Sequence, residues 1–96
     1  MPKVFSVCCY RSAPDPAGLA AYAELAGLAV QAAGGRILVR GGVAATYEAG
    51  LRQRTVIVEF DSVEQARACY EGDAYRRARA LLGAVERDFR IVEGIG

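Results

Sequence analysis

Arg40 and Glu59 are the residues whose types and setting first suggest chemistry. Each lies in a strand-like run, "RILVRGG" and the β-branched-rich "TVIVEFDS", where a lone buried charge would be costly. If the two runs pair as neighbouring strands, parity lets both side chains face one side and form an ion pair. Arg36 is the alternative partner, because the double glycine Gly41-Gly42 could insert a bulge and shift the register. A guanidinium backed by the N–H groups of Gly41 and Gly42 would anchor a small anion, and a carboxylate beside it could accept a proton. The plainer account is an ion pair that satisfies itself at a subunit seam.

Tyr22, Tyr70 and Tyr75 form a second group. All three fall at helical spacing, so they pack a core first. A buried phenol still needs a hydrogen-bond partner, and three of them at a cleft between helices and sheet would orient a small carbonyl or phenolic ligand. The basic run Arg76, Arg77 and Arg79 lies near Glu71, Asp73 and Glu86, which reads as a solvated, salt-bridged face rather than a phosphate site. Cys8, Cys9 and Cys69 show no CxxC spacing and are expected to be reduced thiols, mainly small buried side chains. The chain has no histidine, which removes a His general base and the usual zinc and haem ligand sets. Neither "GG" pair completes a nucleotide-binding glycine motif. The expectation is therefore no metal and no cofactor, with the identity of any catalytic residue left open.

The elements that must position these groups are well punctuated. A first strand covers about 3–10, with Phe5, Val7 and Cys9 on one face and Val4, Ser6, Cys8 and Tyr10 on the other. Asp15 as N-cap, Pro16 as first helical residue and Gly34-Gly35 as terminator define a helix over 16–33. Its apolar stripe, Leu19, Tyr22, Ala23, Ala26, Val30 and Ala33, is widened by Leu25, Leu28 and Ala32, so more than one surface should be covered. Strands follow over 36–42 and 55–62. Ser62 and Gln65 have capping-box spacing for a helix over 63–71; Gly72 interrupts it, and Asp73 caps a second piece over 74–83. A last strand spans 86–93, before a flexible "GIG".

Strand, helix, strand, strand, broken helix, strand is the split βαβ order of an α+β, ferredoxin-like βαββαβ fold. Right-handed crossovers give the strand order four, one, three, two, with both helices on one face of a four-stranded antiparallel sheet. Val56, Val58 and Phe60 then meet the helices, and Thr55, Ile57 and Glu59 face away with Arg36, Leu38 and Arg40. That helix-free face is too apolar for solvent, so two copies of the chain are expected to join through it as a homodimer.

At 96 residues, 53% hydrophobic and with a net charge of +1, residues 1–96 read as a single domain without an electrostatic reason to bind nucleic acid or a membrane. No signal-peptide layout is present, so a cytoplasmic location is expected. In order and spacing, "DP", Tyr22, "GGRILVRGG", "VIVEFDS", Tyr70, Tyr75 and "VEG" resemble a small bacterial family known as the domain of unknown function DUF1330. That family is similar to the dimeric α/β-barrel superfamily. The resemblance implies a ferredoxin-like fold, a dimer and a pocket in each subunit, and brings no reaction with it. The chain departs from the family pattern at Gly72, Asp73 and Ala74, where Ser-Pro-Glu is usual, and at Leu82, where a basic residue is common. Two functions fit: a dimer that binds a small anionic or carbonyl ligand through Arg40, Gly41, Gly42, Glu59, Tyr22, Tyr70 and Tyr75; or a cofactor-independent enzyme (a proton-transfer isomerase or oxygenase-like protein) using Glu59 or a pocket tyrosine as acid or base.

Overall fold

The computed structural model describes residues 2–95. Its elements run β1 (Val4–Tyr10), α1 (Pro16–Ala32), β2 (Arg36–Gly41), β3 (Thr55–Phe60), α2 (Val63–Glu71), α3 (Asp73–Ala80) and β4 (Arg87–Glu93). The four strands form one antiparallel sheet in the order β2-β3-β1-β4. The ferredoxin-like topology and the central placing of β1 and β3 are as the pattern of elements predicts. Gly96, the end of the closing "GIG", lies outside the described residues. Gly94, within that tail, donates its N–H to Lys3 O at 2.8 Å.

Local chemistry sets the boundaries. The Asp15 carboxylate accepts from Gly18 N at 3.1 Å, satisfying one of the free amides at the start of α1. At the other end Gly34 takes φ +82°, a conformation that favours glycine. Ser62 Oγ accepts from Gln65 N at 3.1 Å. Gln65 reaches back to Asp61 N at 2.6 Å and also donates to Ala33 O at 2.8 Å, so one side chain caps α2 and ties it to the end of α1. Asp73 is not the cap of α3: Gly72 holds the N-cap position and Asp73 is the first helical residue, where its charge suits the positive end of the helix. α3 also stops earlier than the sequence suggests, at Ala80.

The core lies between the helices and one sheet face. Val4, Cys8 and Tyr10 of β1 and Val58 and Phe60 of β3 pack under Tyr22, Ala26 and Val30 of α1, Ala66 and Cys69 of α2, and Tyr75 and Ala78 of α3. The two faces of β1, both apolar in the sequence, are thereby distinguished: Val4, Ser6, Cys8 and Tyr10 turn to the helices. Burying side chains of the size of Phe60 or Val58 contributes about 1.5–3 kcal/mol each. α1 and α3 approach closely, since a Cβ on Gly18 would lie 2.7 Å from Leu81 O. Leu25 and Leu28, which widen the apolar stripe of α1, remain exposed in the single chain.

The β2–β3 register differs from simple alternation. Arg36 faces Glu59 and Ile37 faces Val58, but Val39, not Leu38, faces Ile57. The extra residue is Leu38, so the bulge sits in mid-strand rather than at Gly41-Gly42. Every residue after it changes face. Arg40 therefore stands opposite Val56 on the helix side, instead of beside Glu59.

Candidate functional site

The register brings arginines into phase with core residues at one end of the sheet. Tyr10 pairs with Arg87 on one side, and its N–H donates to Arg54 O at 3.0 Å on the other. Arg54, just before β3, thus forms a row with Tyr10 of β1 and Arg87 of β4 on the helix-facing side, with the outer two backbones roughly 10 Å apart at the ordinary strand spacing. The next row is Arg40, Val56, Cys8 and Phe89. Arg40, Arg54 and Arg87 all line one cleft between the sheet and α1. Its walls are otherwise mostly apolar, with Ala26, Val30, Val58 and Phe60 deep in the cleft, and no carboxylate lines it.

Arg87 occupies the polar centre. It donates to Tyr22 Oη at 3.0 Å, and Tyr22 Oη is in turn hydrogen-bonded to Tyr75 Oη. Its guanidinium lies 5.5 Å from the Tyr10 ring centroid, 5.4 Å from that of Tyr22 and 5.6 Å from that of Phe89. Aromatic faces stabilise a cation in such a setting, yet among the described residues no carboxylate forms an ion pair with Arg40, Arg54 or Arg87. Burial works against the Arg87 charge, but the oxygens of Tyr22 and Tyr75 outweigh it and the group is held firmly protonated. Arg54 Nε is buried without an acceptor.

Burial also pushes the Tyr22 phenol well above its ordinary value near 10, with Tyr75 adding to the rise and Arg87 opposing it. Burial raises Tyr75 and Tyr10 as well. The Cys8 and Cys69 thiols are likewise raised, chiefly by burial. These groups keep their protons near neutrality and act as donors, not as bases. Tyr70 packs on Tyr75 and Phe89, with ring centroids 5.4 and 4.5 Å away, and its hydroxyl accepts from Arg79 at 3.1 Å. Arg79 is thus drawn inward and does not share the solvated character of Arg76 and Arg77. Among the described residues no three His, Cys, Asp or Glu side chains come together to hold a metal ion.

Of the residues singled out in the sequence, Tyr22, Tyr70, Tyr75 and Arg40 meet at this cleft. Glu59 does not. It lies on the helix-free face, ion-paired with Arg36, so the second of the two predicted partners is the one realised. Gly41 and Gly42 do not line the cleft. Sequence reasoning missed Arg54, Arg87 and Tyr10. A signal was available: Arg54 shares parity with Val56, Val58 and Phe60, as Arg87 does with Phe89 and Ile91, and a charge in phase with core residues is itself unusual.

The geometry can be set beside known proteins. A protein of unknown function from Rhodopseudomonas palustris has a similar structure, with a TM-score of 0.71 and 16% identity over 99% of this chain and 84% of that one. A Caulobacter crescentus protein described as a candidate antibiotic biosynthesis monooxygenase aligns with a TM-score of 0.63 and 17% identity over 99% and 92%. A Bacteroides fragilis protein, described as dimeric and ferredoxin-like, aligns with a TM-score of 0.57 and 13% identity over 95% of both chains. These likenesses establish the ferredoxin-like fold. No curated protein matches the chain. Residues 3–95 match the family described as domain of unknown function DUF1330, and the chain belongs to that family.

Proposed function

We propose that the protein binds a small organic anion with an apolar body in the cleft of each subunit of a homodimer. The observation that carries this reading is the convergence of Arg40, Arg54 and Arg87 on a largely apolar cleft that no carboxylate lines. Three guanidinium groups without a carboxylate partner favour an acceptor of opposite charge, and the apolar walls favour a hydrocarbon or aromatic body. Calorimetric titration with 3-phenylpropionate and with its neutral amide tests the reading. The acid should bind and weaken as salt rises, and the amide should bind at least tenfold more weakly. Equal binding of the two, or none by the acid, would overturn it.

The dimer is supported by the helix-free face. Phe5, Val7, Cys9, Val39, Ile57 and Val92 share that face by register, and two solved neighbours are described as dimeric. No helix among the described residues is long and apolar enough to cross a membrane. Three free cysteines fit a reducing, cytoplasmic setting. An acid–base enzyme working through Glu59 draws no support from the geometry, because that carboxylate and the cleft lie on opposite sheet faces.

A further inference from the structure

The hydrogen-bond inventory of the cleft has one donor too many. Tyr22 and Tyr75 have two phenolic hydrogens between them, and one of these lies in the bond that joins their oxygens. Tyr22 Oη also accepts from Arg87. If Tyr75 donates to Tyr22, the Tyr22 hydrogen points elsewhere; if Tyr22 donates to Tyr75, the Tyr75 hydrogen does. In either arrangement one O–H donates to nothing among the described residues, although both tyrosines are buried, at 8% and 6% exposure. A buried donor without an acceptor is costly.

Resting on the anion-cleft reading, we infer that the Tyr22–Tyr75–Arg87 cluster is the seat of a second ligand oxygen, and that the ligand class is an organic acid bearing a keto or enol oxygen on its apolar body. The carboxylate is directed to Arg54 and Arg40 at the mouth. The oxo oxygen takes the spare phenolic hydrogen and an N–H of Arg87. A carboxylate alone would leave the inner donors unmet, and a neutral ketone would leave the mouth cations unmet. Both tyrosines keep their protons near neutrality, through burial above all, which preserves the donor.

Phenylpyruvate and 3-phenylpropionate share a body and a carboxylate and differ in the oxo oxygen, so they separate this inference from the reading beneath it. Wild-type protein should bind phenylpyruvate about tenfold more tightly in calorimetric titration, the ordinary effect of one added buried hydrogen bond. In the Tyr22→Phe, Tyr75→Phe double variant the preference for phenylpyruvate should shrink by about threefold or more, to what the Arg87 N–H alone supplies, whereas Arg54→Met should weaken both acids and leave their ratio intact. Equal binding of the two acids by the wild type would overturn the oxo-acid inference while leaving the anion cleft standing. Failure of both acids to bind would overturn the cleft and the inference together. The wild-type ratio needs no variant, so a double variant that failed to fold would leave the test decisive.

Discussion

Arg87 sets a cation among core residues where an apolar side chain would pack at less cost. Groups kept in such positions commonly serve binding at the expense of stability. Replacing Arg87 with Met should therefore leave stability unchanged or raise it by about 1 kcal/mol, while phenylpyruvate binding falls at least tenfold. Urea unfolding and calorimetry of the same preparation measure both effects. A stability loss above about 2 kcal/mol would mark Arg87 as a structural residue instead. Glu59 makes the opposite case, a charge whose partner is close by. Arg36 is 66% exposed and Glu59 15% by side chain, so solvent screens the pair, and its coupling should be about 1 kcal/mol in a double-mutant cycle. Glu59→Gln with Arg36→Met should lose less than the sum of the single changes, and Glu59→Gln with Arg40→Met should be additive. That Glu59 needs an arginine of β2 is legible in "TVIVEFDS"; which arginine is not, because the choice depends on a bulge that leaves no glycine or proline mark at Leu38.

At the scale of elements, caps and turns carried most of the legible information. Asp15, Pro16, Ser62, Gln65 and Gly72 each fix a boundary by local chemistry, so α1 and α2 fall where the residues place them. Strand register is a long-range property, set by the partner strand, and one unpaired residue reverses the face of all that follow. The bulge itself can be tested. Deleting Leu38 leaves Ile37 opposite Val58, Val39 opposite Ile57 and Arg40 opposite Val56. The shortened protein should fold with a loss below about 2 kcal/mol, and Arg40 should stay in the cleft. Were the strand regular, Arg40 would face away from the cleft in the intact protein, and the same deletion would turn Val39 and Arg40 over, so that cleft binding would strengthen instead of staying unchanged.

The tyrosine pair links α1 to α3, and Arg87 extends the link to β4, so these elements should separate together as the phenols ionise. The folded-state values of Tyr22 and Tyr75 are raised, by burial first. The unfolded chain therefore releases these protons earlier, near pH 10, and binds fewer protons than the native state above that point. The stabilisation is complete below the unfolded value and is lost as pH rises toward the folded one. Unfolding free energy should fall from about pH 10 upward, and the Tyr22→Phe, Tyr75→Phe variant should show a shallower decline. Parallel alkaline slopes for the two proteins would show that the pair does not govern this limb.

On the scale of the whole molecule, the protein is a slab of 35 × 35 × 17 Å with helices on one side only. Four strands of six or seven residues present a bare face of roughly 19 × 22 Å, a footprint of roughly 400 Å². Even with side-chain relief that is short of the roughly 800 Å² each partner contributes to a standard interface. The chain between β2 and β3, residues 42–54, has apolar surface to add. Tyr47 is 81% and Leu51 58% exposed, and the segment is turned on itself, with Gly50 N–H donating to Tyr47 O at 2.9 Å and Arg52 reaching Val43 O at 3.4 Å. In the proposed homodimer these side chains should reach across and clasp the other copy. Light scattering behind size exclusion at micromolar concentration should give twice the 10.2 kDa chain mass. Val7→Lys, at the centre of the bare face, should give monomer. Tyr47→Ser with Leu51→Ser should weaken the dimer about tenfold or more without changing far-ultraviolet circular dichroism, since apolar anchors of this size each contribute about 1–2 kcal/mol when covered. Loss of the dimer in Val7→Lys with no change in the loop variant would restrict the interface to the sheet face and return Tyr47 and Leu51 to solvent.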